Sequence, residues 1–345
     1  MGSLQVGLAV LGALVLAGLT AHGVWQSRKW RRPQGAASPD LRQAIEPSFG
    51  PPAEPPAAAA ALPDVPRRPV PGAPLLDPVI DAIAPLRLDV PIEAETVLAH
   101  LPPTRRVGSK PLAIEGLDAR TGKWLPLHAA GTCVELQAGV QLASRSGALN
   151  EIEYSEFVQK MQAFADAVGA SAEFPDMLDV VARARELDGF AGQHDAQLAM
   201  RLHAKGSAWS VGFIQQQAGR LGFLPGALPG RLVLPGAADG APPVLTLQFD
   251  RQAALAGEPS QAAVRELTLA FDVPQTPAAQ EPFKVWQDAG EALAQALGAR
   301  VSDDQGSPLQ AGSLGVIGEE LAGLYDKLSG CGLPAGSAAA RRLFS

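Results

Sequence analysis

The sequence predicts an α+β protein: an N-terminal transmembrane helix, a disordered Pro/Ala linker, then two tandem α/β sandwich units. Each unit is expected to hold an antiparallel sheet covered on one face by helices. Three observations lead there. Leu4–Trp25 is a run of 22 residues without a charged side chain. Residues 33–74 hold 12 Pro and 10 Ala. From Leu75 onward, short period-two stretches alternate with three-and-four-spaced apolar stretches, the signatures of half-buried strands and amphipathic helices.

As a helix, Leu4–Trp25 would be about 33 Å long, enough for a hydrocarbon core of about 30 Å. A cleaved signal peptide carries its positive charge before the apolar run. Here Arg28, Lys29, Arg31 and Arg32 follow it. The expectation is therefore a retained anchor, residues 1–27, with the C-terminal part cytoplasmic and the N-terminus facing out. Residues 28–74 read as a basic juxtamembrane stretch and a proline-stiffened linker, because no apolar period survives that composition.

Residues 1–74 carry seven Lys+Arg against four Asp+Glu, so in a chain of net charge −7 the globular remainder is strongly acidic. That argues against nucleic acid as a partner. Cys133 and Cys331 are isolated and read as reduced thiols. The five histidines (His22, His100, His128, His194, His203) are scattered, and no nucleophile-elbow or phosphate-loop motif occurs. Val107-Gly108-Ser109-Lys110 ends like a phosphate-binding loop but lacks the glycine five residues earlier. The expectation is a protein that is not an enzyme and needs no metal or cofactor.

In the first unit, residues 75–191, strands are expected over Ala84–Val90, Pro111–Leu117 and Cys133–Ala143. Helices are expected over Glu93–Leu101, Ser155–Val168 and Pro175–Phe190. The second unit, residues 192–330, repeats the plan. Its strands fall at Asp195–His203, Arg231–Leu234 and Val244–Asp250, and its first helix at Ser210–Leu221. In the stretch after them, Leu267, Leu269, Phe271 and Val273 alternate with small and polar residues. Pro282 opens a helix on Phe283, Trp286, Gly290, Leu293 and Leu297, and Gly298 closes it. Ala299–Ser302 is extended, Asp303–Gly306 turns, and Leu314–Leu328 is a last helix. Residues 331–345 are expected to be a flexible tail. Residues 157–170 align with 286–299, Ala165, Gly169 and Ala170 falling on Ala294, Gly298 and Ala299, which points to an internal duplication.

Several features of the second unit come in a familiar order. A strand ends in Val273-Pro274, a helix opens with Phe283-Lys284 and closes at Gly298, and Asp303-Asp304-Gln305 turns toward the last helix. Over Asp195–Leu328 this order resembles the C-terminal FtsZ-binding domain of the ZipA family of bacterial cell-division proteins, whose members also carry an N-terminal anchor and a Pro-rich linker. The resemblance implies that the open sheet face takes the C-terminal tail of FtsZ. It also implies that the anchored chain tethers the FtsZ ring to the membrane during septum formation. The positions that match the lining of the family's groove are Gln197, Ala199, Leu228, Gln248, Thr268 and Ala270, with Arg201 and Thr246 beside them on the same outward face. The family groove presents larger aliphatic and aromatic side chains; here most are small or polar. No aromatic stands on this face, which argues against base stacking on an RNA-binding sheet. The alternative expectation is an envelope or scaffold protein of the same layout with another partner.

Overall fold

The computed structural model describes residues 75–237, 241–255, 263–304, 306–309 and 311–345. The expected membrane helix and linker, including Leu4 and Trp25, lie outside them. Among the described residues no helix is long and apolar enough to cross a membrane.

The first half builds on the long strand β1 (Asp81–Glu93), followed by the short helix α1 (Ala94–Ala99). Strands β2 (Arg106–Val107), β3 (Lys110–Asp118), β4 (Trp124–Pro126) and β5 (Thr132–Gln141) come next, then a small hairpin of β6 (Ala143–Ser144) and β7 (Gly147–Ala148). Helix α2 (Glu151–Val168), strand β8 (Ala170–Ala172) and helix α3 (Met177–His194) complete it. The sheet order is β2-β3-β5-β1-β8, with β4 on β3 and every pairing antiparallel.

The second half contains β9 (Gln197–Ala204), β10 (Trp209–Ser210), α4 (Val211–Arg220), β11 (Leu224–Pro225), β12 (Arg231–Leu234) and β13 (Leu245–Gln248). After them come α5 (Arg251–Ala254), β14 (Ala263–Val264), β15 (Glu266–Asp272), α6 (Pro282–Leu297), β16 (Ala299–Ser302), α7 (Ala311–Gly330) and α8 (Ala338–Leu343). Its main sheet runs β11-β12-β13-β15-β9-β16, again antiparallel throughout. Apart from β4 and β11 the two sheets have one connectivity, with β9 in the place of β1, β15 of β5, β13 of β3 and β16 of β8.

Local chemistry fixes the equivalent helix of each sheet. The Asn150 side chain accepts the N–H groups of Ile152 and Glu153, while Glu153 reaches back to the Asn150 N–H. Helix α6 begins on Pro282, where a missing N–H costs nothing. Both helices stop on a left-handed glycine, Gly169 at φ 68° and Gly298 at φ 62°. The matched glycines of the two aligned stretches thus do the same structural work, and each sends the chain straight into an edge strand. Inward residues of each sheet meet these helices. Leu86, Leu136, Val140, Phe157 and Met161 belong to one core; Leu202, Leu247, Leu269, Trp286 and Leu293 belong to the other. Trp286 is fully buried, and its indole N–H donates to the Leu269 carbonyl at 3.0 Å.

Residues 331–345, expected to be a flexible tail, pack as a third core. Leu333, Ala340, Leu343 and Phe344 are buried with Ile80, Ala143, Ala191 and Leu328. Ser337 caps α8 by accepting the Ala340 N–H at 3.1 Å. Arg342 forms a two-pronged pair with the fully buried Asp81 side chain, at 2.5 and 2.9 Å. Gln141 and Gln275 donate to the carbonyls of Arg342 and Phe344 at 2.9 and 2.7 Å, so the tail is held by both halves. Lys110 also differs from a phosphate-loop lysine. It is fully buried, with its ammonium donating to Ser146 Oγ at 3.2 Å and to the Gly147 carbonyl.

Candidate functional site

Helix α6 covers the inward face of the second sheet. Gly290 lets it approach so closely that a Cβ there would lie 2.3 Å from Met200 Sδ. The opposite face carries the alternate residues, and the strand registers sort them into rows. Val233, Thr246, Ala270 and Ala199 stand side by side across β12, β13, β15 and β9. The next row holds Arg231, Gln248, Thr268, Arg201 and Ser302. Gln197 stands opposite Asp272 at one end and His203 opposite Glu266 at the other. Seven of the eight residues expected on this face therefore share it. Leu228 lies instead in the β11–β12 hairpin, 58% exposed, its carbonyl accepting the Arg231 N–H at 3.2 Å.

Exposure varies along the rows. Gln197 and Gln248 are exposed, and Ala199, Arg201 and Thr268 are half-buried. Ala270 is only 4% exposed and Thr246 8%, so the centre of the face is sheltered, not flat. The shelter comes from residues outside the strand pattern. Arg145, Pro242, Pro243 and Gln275 join Thr246 and Ala270 around a cavity of about 240 Å³. Arg231 crosses from the neighbouring row, donating to Thr246 Oγ1 at 3.3 Å. A second, wider depression of about 520 Å³ lies over Gln248, Thr268 and Glu266, toward Asp250 and Arg265.

The charges on the face are mostly paired. Arg201 meets Glu266 at 3.3 Å, and His203 meets the other oxygen of that carboxylate at 3.5 Å. Arg145 reaches over from the β6–β7 hairpin to Asp195 at 2.5 and 2.8 Å and to Asp272 at 2.6 Å. Burial pushes the Asp272 carboxyl above the usual carboxylate range, while its hydrogen bond to Arg145 pulls the other way. Asp272 thus joins the two halves through Oδ2, while its buried Oδ1 accepts no hydrogen bond from the described residues.

Alternation along β9, β13 and β15 points to their rows, whereas Arg231, Val233, Arg145 and Pro242 are additions from the structure. The alternation of Arg231–Leu234 would have supplied the first two. Arg145 belongs to the other half of the chain, and no local pattern points to it. Among the described residues no cluster of His, Cys, Asp or Glu is arranged to hold a metal ion. No protein-family model matches the chain, and no curated protein matches it.

Proposed function

We propose that this chain is a membrane-tethered, non-enzymatic adaptor whose second sheet binds an extended peptide, and that the peptide is the C-terminal tail of FtsZ. One observation carries the reading: a sheet packed by helices on one face only, whose other face lines up one row of short, uncharged side chains, Val233, Thr246, Ala270 and Ala199, beside a sheltered cavity. An antiparallel sheet tolerates one open face. Ala199, Thr268 and Gln248 leave room for a docked backbone, and the Thr and Gln supply hydrogen-bonding groups to it. Moderate affinity is sufficient for such a role, because many anchored copies facing a polymer multiply binding through effective concentration. The resemblance to the ZipA family supports the choice of peptide; the anchor over Leu4–Trp25 and the cytoplasmic placement of the sheets belong to the same proposal.

Thr268→Glu tests the face. Thr268 is half-buried in the row between Gln248 and Arg201, so the longer carboxylate projects outward and leaves the core intact. A labelled FtsZ tail peptide titrated into the chain should bind the parent, and the variant should lose about 2 kcal/mol, the scale of a hot-spot residue. The melting temperature should stay within the range usual for surface changes. Equal binding by parent and variant would remove this face from the proposal, and no binding by the parent would remove FtsZ.

A further inference from the structure

The two sheets can be superposed residue by residue from their registers. Helices α2 and α6 end on matched glycines and lead into β8 and β16. Ala170 then pairs with Leu88, and Ala299 with Ala204. Following the pairings inward, Ile83 takes the place of Ala199, Gly139 of Ala270, and Ala113 of Thr246. Gln137 likewise takes the place of Thr268, and Glu115 that of Gln248. The first sheet therefore owns an outer face equivalent to the candidate binding face of the second.

That face is occupied at Gly139 by the chain itself, while a depression of about 480 Å³ stays open beside it over Ile83, Glu115 and Gln137. Leu76, outside every strand and only 7% exposed, lies on Gly139: a Cβ on that glycine would sit 2.5 Å from Leu76 Cδ2. The backbone N–H of Leu75 donates to Glu115 Oε2 at 2.7 Å, and Gln137 Nε2 donates to the other oxygen at 2.6 Å. Glu115 is fully buried, an acceptor set into the face and aimed at a passing main chain. The Leu75 carbonyl in turn accepts from Arg342 Nη1 at 2.7 Å. No strand ladder holds this segment. An aliphatic side chain seated over a glycine, and backbone groups taken by side chains, hold the segment on the face in place of strand pairing.

We infer that the outer face of the first sheet is a second peptide-binding site of the same class, filled in cis by Leu75–Leu76. The inference rests on the proposed function for the class of its ligand. Its consequence is that the chain offers a partner one face, not two, while the segment next to the predicted linker stays docked. Gly139 makes the cis contact specific to the first sheet, since Ala270 places a methyl group at the equivalent point.

Calorimetric titration of the full chain in detergent with the FtsZ tail peptide tests this, comparing the parent with the double variant Leu75→Gly, Leu76→Gly. The parent should bind one equivalent and the double variant two. Adding Gly139→Val to the double variant should return it to one, by filling the seat of Leu76. Leu76→Ala replaces the double variant if thermal melting shows that the latter does not fold. A folded variant that still binds one equivalent overturns the inference, as does a second equivalent that Gly139→Val does not remove. If the parent binds nothing but the variant binds one Gly139-sensitive equivalent, the first-sheet site stands and the proposed function of the second sheet falls. If neither binds, both fall.

Discussion

Replacing Arg342 with Ala should lower the melting temperature by about 10 °C. The Asp81 carboxylate that Arg342 pairs with has no solvent access. Removing the guanidinium leaves that charge buried against the tail, a change that costs about 3–5 kcal/mol when one partner of a buried pair is deleted. In a domain of this size that corresponds to the stated shift. Two directions meet at Asp81: burial pushes its pKa up, and the guanidinium pulls it down. Without Arg342 the main downward pull is gone and only the Asp77 backbone N–H, which donates to Asp81 Oδ2 at 2.8 Å, still opposes burial, so the variant should recover part of its loss as the pH is lowered and Asp81 takes a proton. The double variant Arg342→Ala, Asp81→Asn should therefore be more stable at neutral pH than Arg342→Ala alone. Calorimetry at neutral and mildly acidic pH measures both effects. A shift below about 2 °C, with no difference between the single and double variants, would mean that the pair does not hold the tail.

The same contact explains why the tail was illegible in the sequence. Helix α8 has six residues, too few for a periodic signal to stand out from Ala338–Ala340, and its polar partners Asp81 and Gln141 lie far away along the chain. Local pattern carries information about local structure. It placed Glu266–Asp272, Pro282–Leu297 and Ala299–Ser302 because their apolar residues recur at the period of the element they form, the first bounded by Pro274 and the second by Pro282 and Gly298. It placed Gln197, Ala199, Thr268 and Ala270 on one face because alternation alone assigns faces. What alternation leaves open is whether an outward residue meets solvent. Ala270 points away from α6 yet is 4% exposed, because Arg145 and the Pro242–Pro243 turn reach across the sheet. A charge placed at Ala270 would therefore strain the fold as well as block a partner, which is why Thr268 is the sounder probe of the face.

The largest coupled effect should come from Gly290 and Met200. These two residues exchange bulk with their counterparts in the first half. Helix alignment puts Gly290 where the first half has Met161, and sheet register puts Met200 where it has Ala84. Both pairs are buried, so each half supplies one large and one small side chain to the same layer, from opposite elements. Met200→Ala alone should cost about 2–5 kcal/mol, the range for emptying a core site that only partly collapses. Gly290→Met alone forces a side chain against Met200, whose sulfur already lies 2.3 Å from where the new Cβ would sit. Overpacking of that kind costs about 1–3 kcal/mol and outweighs the roughly 1 kcal/mol gained by removing a mid-helix glycine. Made together, the two changes copy the arrangement that the first half uses. The methionine then enters from the helix, the alanine leaves it space, and total core volume is nearly kept. The double variant should be closer in stability to the parent than Met200→Ala is, with a favourable coupling of about 2 kcal/mol or more between the sites. Denaturant unfolding of the four proteins in the cycle gives that coupling directly. Costs that simply add would mean that the α6–β9 contact in the second half and the α2–β1 contact in the first are not interchangeable solutions to one packing problem, and that the shared connectivity of the two sheets does not extend to their cores.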